Sequence, residues 1–273
     1  MKITSLVDNT SHAGLPVEHG LSLHIALDNG QNILFDMGQG SLFASNAATL
    51  GIDIASVDAA IISHGHYDHG GGLKTFLEKN SLAMVYINTH AFEPHYSLRA
   101  TGLTYIGLDC DLKTNKRLIL CNNETQIIGN GIILFSGVND NCLYPTGNKL
   151  LYGPEKDIND DFCHEQSLII TENDKTVLFA GCAHTGILNI MQKAEKSTNR
   201  TITHVFAGMH LVKSGLSNDS ESAFIHALSL KLLNHQGCRY YTMHCTGLPQ
   251  YELLKKNMND AIGYMSCGDT VII

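Results

Sequence analysis

No apolar run in this chain approaches the roughly 18 residues of a membrane-spanning helix, so an embedded role is not expected. Basic residues are in the minority: 18 Lys and Arg stand against 26 Asp and Glu, a net charge of −8. A broad nucleic-acid footprint needs the opposite balance; a ribonuclease role is further disfavoured because no basic arm is present. None of the cysteines (Cys110, Cys121, Cys142, Cys163, Cys182, Cys238, Cys245 and Cys267) forms a C-x-x-C pair, which argues against a structural zinc ribbon. Residues 1–8 lack a long apolar core ahead of a cleavage site and read as a first strand, not a signal peptide. Reduced thiols and a cytoplasmic location are the corresponding expectation. No repeat, low-complexity run or linker interrupts the chain, so residues 1–273 are expected to form one domain. What is present suits a soluble globular protein: 44% hydrophobic and 16% charged residues in a chain long enough for a sizeable core.

The densest chemistry lies in Ser63-His64-Gly65-His66-Tyr67-Asp68-His69-Gly70-Gly71-Gly72. Three imidazoles and one carboxylate follow directly on the apolar run Ala59-Ala60-Ile61-Ile62, which reads as a buried strand. Ligand types alternating on a loop at a strand end can face one point. His64 and His66 can share one metal ion, while Asp68 and His69 turn toward a second. Such a set suits zinc, and also iron or manganese.

Strands are expected over residues 3–7, 21–27, 33–35, 59–63, 83–87, 118–121, 125–128, 131–135, 167–171, 175–180, 201–206 and 239–243. Helices are expected over 41–50, 73–79, 185–196, 221–233 and 249–257. The start of the helix at 73 is expected near the metal motif, where it would favour an anion. Residues 89–99, with His90, His95 and Tyr96, read as a surface loop; a lid over the metals is the alternative. Residues 138–162, rich in Asn, Asp, Gly and Pro, read as a long loop. Three strands in the second half run into a histidine: His184 after Gly181-Cys182-Ala183, His210 after Gly208-Met209, and His244 before Cys245-Thr246-Gly247. If those strands end along one sheet edge, the three imidazoles meet at the cleft of the first motif. The element order fits two sheets packed face to face with helices outside.

The first motif resembles the H-x-H-x-D-H signature of the metallo-β-lactamase superfamily. The likeness extends to Val7-Asp8-Asn9-Thr10, Glu18-His19-Gly20-Leu21-Ser22 and Ile33-Leu34-Phe35-Asp36-Met37-Gly38 upstream, and to the His184, His210 and His244 segments downstream. Together these resemble the branch named for a pterin synthase of methanopterin synthesis. The resemblance implies an α/β fold, the αβ/βα sandwich of two mixed β-sheets with helices on the outer faces. It implies a dinuclear centre, with His64, His66 and His184 on one ion and Asp68, His69 and His244 on the other. It favours Asp36 as an acceptor that orients a ligand histidine over a plain loop cap, and it allows His164, just before a strand, to approach the metals. His210 is expected to bind or protonate substrate, with metal contact as an alternative. Many members carry a bridging aspartate where this chain has Cys182; either the thiol is a soft ligand, or only water or hydroxide bridges.

Two divalent ions are therefore expected, zinc by default, with Fe, Mn or Mg as alternatives. The primary expectation is a metallohydrolase using a metal-bound hydroxide on a small, phosphorylated molecule, with Asp68 orienting the water. The alternative is a transferase that joins a dihydropterin methyl diphosphate to an aminobenzene riboside phosphate. A di-iron redox protein is disfavoured because its relatives usually carry Glu at the position of His66 and a flavin domain for which this chain has no room. A non-catalytic metal-binding module fits the full ligand set poorly. Oligomeric state is not readable.

Overall fold

Strands Asn32–Phe35 and Ala59–Ile62 send successive side chains into two different apolar layers, as the period of a strand requires. Leu34, Ala60 and Ile62 pack with Phe43 and Ala47 of helix Leu42–Thr49 and with Leu73 and Phe76 of helix Leu73–Lys79. Ile33, Phe35 and Ile61 face the other way, onto Leu134, Leu168, Phe179 and Phe206 of a second sheet. Burial on both faces explains why these strands read as continuous apolar runs, without polar alternation. The computed structural model describes residues 1–122, 125–212 and 215–273.

The first seven-stranded sheet has the order Thr270–Ile272, Lys2–Val7, Ser22–Ala26, Asn32–Phe35, Ala59–Ile62, Met84–Asn88, Leu118–Cys121. The second, also seven-stranded, runs Ile262–Tyr264, Arg239–Thr242, His204–Ala207, Lys175–Ala180, Gln166–Glu172, Ile132–Ser136, Gln126–Gly129. Helices Ile187–Thr198, Asn218–Leu233 and Leu248–Met258 cover its outer face through Ile190, Met191, Ile225, Leu228, Leu254 and Met258. The result is the αβ/βα sandwich. Among the described residues no helix is long and apolar enough to cross a membrane.

The site lies where parallel strands stop together. Ala180, Ala207 and Thr242 are register partners across three parallel strands, so the turns at 181–184, 208–210 and 243–244 leave one edge. Phe35 pairs with Ile61 in the first sheet, which delivers Asp36 and Ser63 to the facing edge. At Gly181 a Cβ would collide with Ser63 Oγ, so only glycine lets the two edges approach this closely.

Several expectations are corrected. Residues 89–99 are not a surface loop: strands Tyr96–Arg99 and Gly102–Tyr105 form a small sheet with Leu151–Tyr152, and His95 is only 1% exposed. The partner that buries His95 is Asp160, 65 positions away, which no local pattern announces. Residues 138–162 likewise contain a 3-10 turn, Thr146–Leu150, and that short strand. The helix expected from 185 begins at Ile187, because Thr185 is held by Glu165 and Gly186 takes φ 87°. The helix expected from 221 begins at Asn218, capped by the Ser217 hydroxyl, which accepts from Ser220 N. The start of helix Leu73–Lys79 does not line the cavity described below; its cap, Gly72, packs where a Cβ would strike the Met37 and Gly40 carbonyls.

Candidate metal centre

Three buried carboxylates hold the histidine-bearing turns. Asp36, at φ 60°, accepts from Ser63 N (2.7 Å), Ser63 Oγ (2.8 Å) and His69 Nδ1 (2.7 Å). Glu165 accepts from His184 N (2.6 Å) and from Thr185 N and Oγ. Asp8 accepts from His244 N (2.7 Å) and from Thr10. Each acid closes a turn that the strand end leaves open.

The six histidine and aspartate positions expected as ligands fall into two sets. In the first, His64 Nε2 and His66 Nδ1 are 3.0 Å apart. One nitrogen each from His64, His66 and His184 lies within 4.8 Å of the others, and His184 Nε2 is buried with no hydrogen-bond partner among the described residues. In the second, His244 Nε2 lies 3.2 Å from His69 Nε2 and 3.3 Å from Asp68 Oδ2, while His69 Nε2 and Asp68 Oδ2 are 3.9 Å apart. Zinc–nitrogen bonds of about 2.0–2.1 Å at tetrahedral angles set ligand atoms about 3.3 Å apart. Bare imidazole lone pairs do not converge at such spacings without an electrophile between them, so both sets fit a bound cation.

The outward nitrogens fix the tautomers. Nδ1–H of His69 donates to Asp36, that of His184 to Asn148 Oδ1 (3.0 Å), and that of His244 to Asn9 Oδ1 (2.9 Å). Because Ser63 Oγ donates to Asp36, it accepts Nδ1–H of His64 (2.9 Å). Four rings are thereby left with a free Nε2 lone pair, the arrangement in which an outer acceptor orients a metal-binding histidine. Asn148 and Asn9 also donate to the carbonyls of the same histidines, 2.8 and 3.4 Å away.

Cys182 Sγ lies 3.2 Å from His69 Nε2 and falls within 4.8 Å of a nitrogen of His64 as well, so the thiol stands between the two sets. Burial, with Cys245 beside it, pushes that thiol well above its usual range. His164 does not join either set; it stands behind His66. His210 lines the cavity above, its ring centre 4.3 Å from that of His184. One residue was missed: exposed His19 reaches Asp68 Oδ2 at 3.3 Å and, with His244, offers the second ion a further nitrogen. Its signal was its place in Glu18-His19-Gly20.

Burial, reinforced by neighbouring imidazoles, holds His64, His66 and His184 well below their ordinary value, so these rings stay neutral and able to bind metal. For His69 burial acts in the same direction, but Asp36 and Asp68 outweigh it and raise the ring. Burial would raise Asp68, yet His69, His19 and His244 outweigh it and the carboxyl is held well down. These shifts predict an acid-sensitive metal-free protein. A histidine depressed in the folded state binds its proton only when unfolded, so its contribution to stability falls as pH drops below the unfolded value of 6.5. His69 has the opposite sign: its contribution is present below that value and lost as pH rises through its folded value. Four depressed rings, His164 included, outweigh it. The melting temperature of the metal-free protein should fall between about pH 7 and 5; a flat profile in calorimetry would refute the buried neutral cluster.

Over the second set opens a cavity of about 580 Å³. Its floor carries Asp68, Cys182, His210 and His244, and its walls include Tyr67, Leu98, Ile106, Leu150 and Leu151, with Arg99 as the cationic side chain among the described lining residues.

Comparison with known proteins identifies the family. A model of the metallo-beta-lactamase superfamily matches residues 16–231. An uncharacterized protein of Methanocaldococcus jannaschii is 29% identical over 96% of this chain and 97% of its own. The 7,8-dihydropterin-6-methyl-4-(β-D-ribofuranosyl)-aminobenzene-5'-phosphate synthase of the same organism is 25% identical, covering 99% of this chain and 96% of its own. The crystal structure of Tm1679, described as a metal-dependent hydrolase of the beta-lactamase superfamily, matches with a TM-score of 0.82 at 30% identity, over 100% of this chain and 99% of its own. With its sandwich fold and a family match over most of its length, the chain belongs to the metallo-beta-lactamase superfamily.

Proposed function

We propose that the protein is a metal-dependent hydrolase of a small phosphorylated molecule, with two divalent ions, zinc by default, held by His64/His66/His184 and Asp68/His69/His244. The observation that carries this reading is the clustering of two sets of candidate ligands, of which Asp68 and His244 line an open cavity. Divalent ions, if held by these residues, would supply activation of water and offset negative charge on a phosphoryl oxygen. The chain's own groups supply the rest. Asp68, kept ionised by three imidazoles, orients water through its oxygens. Arg99 at the wall offers a charged fork to a phosphate. His210 binds or protonates the leaving group. No part of this reading calls for a nucleic acid or a membrane.

A second reading, phosphoanhydride displacement by an aromatic acceptor, is supported by the synthase relative that spans nearly the whole chain. The apolar wall of Leu98, Ile106, Leu150 and Leu151 suits a ring substrate. One experiment separates the two. Metal-loaded protein is given a hydroxymethyl-dihydropterin diphosphate with and without the aminobenzene riboside phosphate, alongside a panel of phosphoesters. Release of phosphate or diphosphate without acceptor supports the hydrolase; release only with acceptor, with a coupled product, overturns it in favour of transfer. His210→Ala should keep both metals and lower turnover by about 10²- to 10⁴-fold, the usual range for a general acid–base group. Loss of metal instead would make His210 a ligand.

A further inference from the structure

His66 is turned differently from the other ligand histidines. Its Nδ1 faces the first set, 3.0 Å from His64 Nε2, so once Nδ1 gives its lone pair to a metal the ring proton must sit on Nε2. That Nε2 is buried and has no hydrogen-bond partner among the described residues. Behind it stands a group that the proposed chemistry does not use: His95, Asp160 and His164, all buried.

Proton accounting fixes this group. Gly65 N–H donates to His164 Nδ1 (2.9 Å), so His164 carries its proton on Nε2, which faces Asp160 Oδ2 at 3.3 Å. Asp160 Oδ1 accepts from Phe162 N (2.8 Å). His95 Nδ1 lies 2.8 Å from the same Asp160 Oδ2 and must donate to it, because the carboxylate only accepts. His95 Nε2 is therefore a bare acceptor, and it too is buried without a partner. One donor and one acceptor are left over, on rings whose centres are 5.6 Å apart and whose planes meet at 76°. The His95 nitrogen points at the His64-Gly65-His66 segment: a Cβ on residue 65 would lie 2.7 Å from it.

We propose that His95 and Asp160 are positioning residues for His66: when the first metal binds, His66 Nε2–H donates to His95 Nε2, completing a chain from metal through two imidazoles to a buried carboxylate. A third cation among His66, His95, Asp160 and His164, which bring one ligand atom each within 4.8 Å, is the competing idea. It fails on the same accounting, since His164 would have to surrender its Nε2 proton and bind as an imidazolate. An outer acceptor on a ligand histidine typically changes metal affinity by about 10- to 100-fold. The role rests on the metal-centre reading given above.

The test compares zinc affinity of the first site, by chelator competition, in the full-length wild type, His95→Phe, His95→Gln and Asp160→Asn. His95→Phe removes the acceptor and should weaken that site about 10- to 100-fold. His95→Gln keeps a carbonyl acceptor and should restore most of the loss. Asp160→Asn keeps the shape and can donate to His95 Nδ1, which would move the His95 proton to Nε2 and set donor against donor; the site should weaken. In nitrogen-15 spectra of the zinc form, the His66 Nε2–H proton should be protected in the wild type and lost to exchange in His95→Phe. Unchanged affinity in His95→Phe, or equal losses in the Phe and Gln variants with matching falls in metal-free melting temperature, would overturn the proposal. His64→Ala separates its failure from that of the centre: zinc binding untouched in His64→Ala refutes the ligand set itself, whatever His95 does.

Discussion

His184→Ala should leave the protein holding one divalent ion in place of two. His184 is 1% exposed, its ring stacks on Phe162 at 4.5 Å and 6° between planes, and Asn148 fixes its proton on Nδ1. The free Nε2 has one direction to point and no partner there. Alanine removes that donor and leaves His64 and His66 as a two-nitrogen site. Loss of an outer partner alone lowers metal affinity by about 10- to 100-fold; loss of the ligand should exceed that. Metal content after dialysis against a weak chelator, with the visible spectrum of the cobalt form, measures the effect. The second site, built on other turns, should keep its ion. Two ions per chain in His184→Ala would sink the assignment of the first set.

Asp36→Ala should be the most destabilising of the substitutions considered, by about 3–5 kcal/mol, the range for removing one partner of a buried ionic pair. The carboxylate is fully buried and takes three donors, each within 2.8 Å. Alanine strands Ser63 N–H, Ser63 O–H and His69 Nδ1–H together, and it also sits poorly at φ 60°, a region that Asp and Asn tolerate better. Asp36→Asn divides the effect. Its shape and backbone preference are retained, so urea unfolding should show a smaller loss. Its amide hydrogens cannot accept from His69, so when they face the ring the His69 proton moves to Nε2 and the lone pair needed for the second ion disappears. The expected result is a folded protein with its first ion and without its second. An Asn variant with both ions bound would show that Asp36 supports the fold but does not set the His69 tautomer.

Local sequence carried much of this architecture. The H-x-H-x-D-H run, its position after a buried strand, and the histidines closing three later strands could be read without coordinates, because strand period and strand-end turns are local properties. Asp36 was legible as an acceptor only through the family resemblance, because an acid at the end of an apolar strand can equally cap a loop. The helices were read to within a turn; errors came where a cap or a distant carboxylate claimed the first residues, as Glu165 claims Thr185.

Tertiary structure alone decided which polar residues are buried and which nitrogen of each histidine is free. Asn9 reaches His244 across 235 positions, Asn148 reaches His184 across 36, and Asp160 pulls His95 inside across 65. Such pairs leave no periodic trace, since one hydrogen bond between distant segments imposes no pattern on either. A polar stretch such as 89–99 therefore looks solvated until its partner is known. The sequence by itself determined the superfamily, the sandwich and most of the candidate metal-binding side chains. The packing of two strand edges determined how closely the side chains of each expected set approach one another, and the outer hydrogen bonds determined where each ring carries its proton.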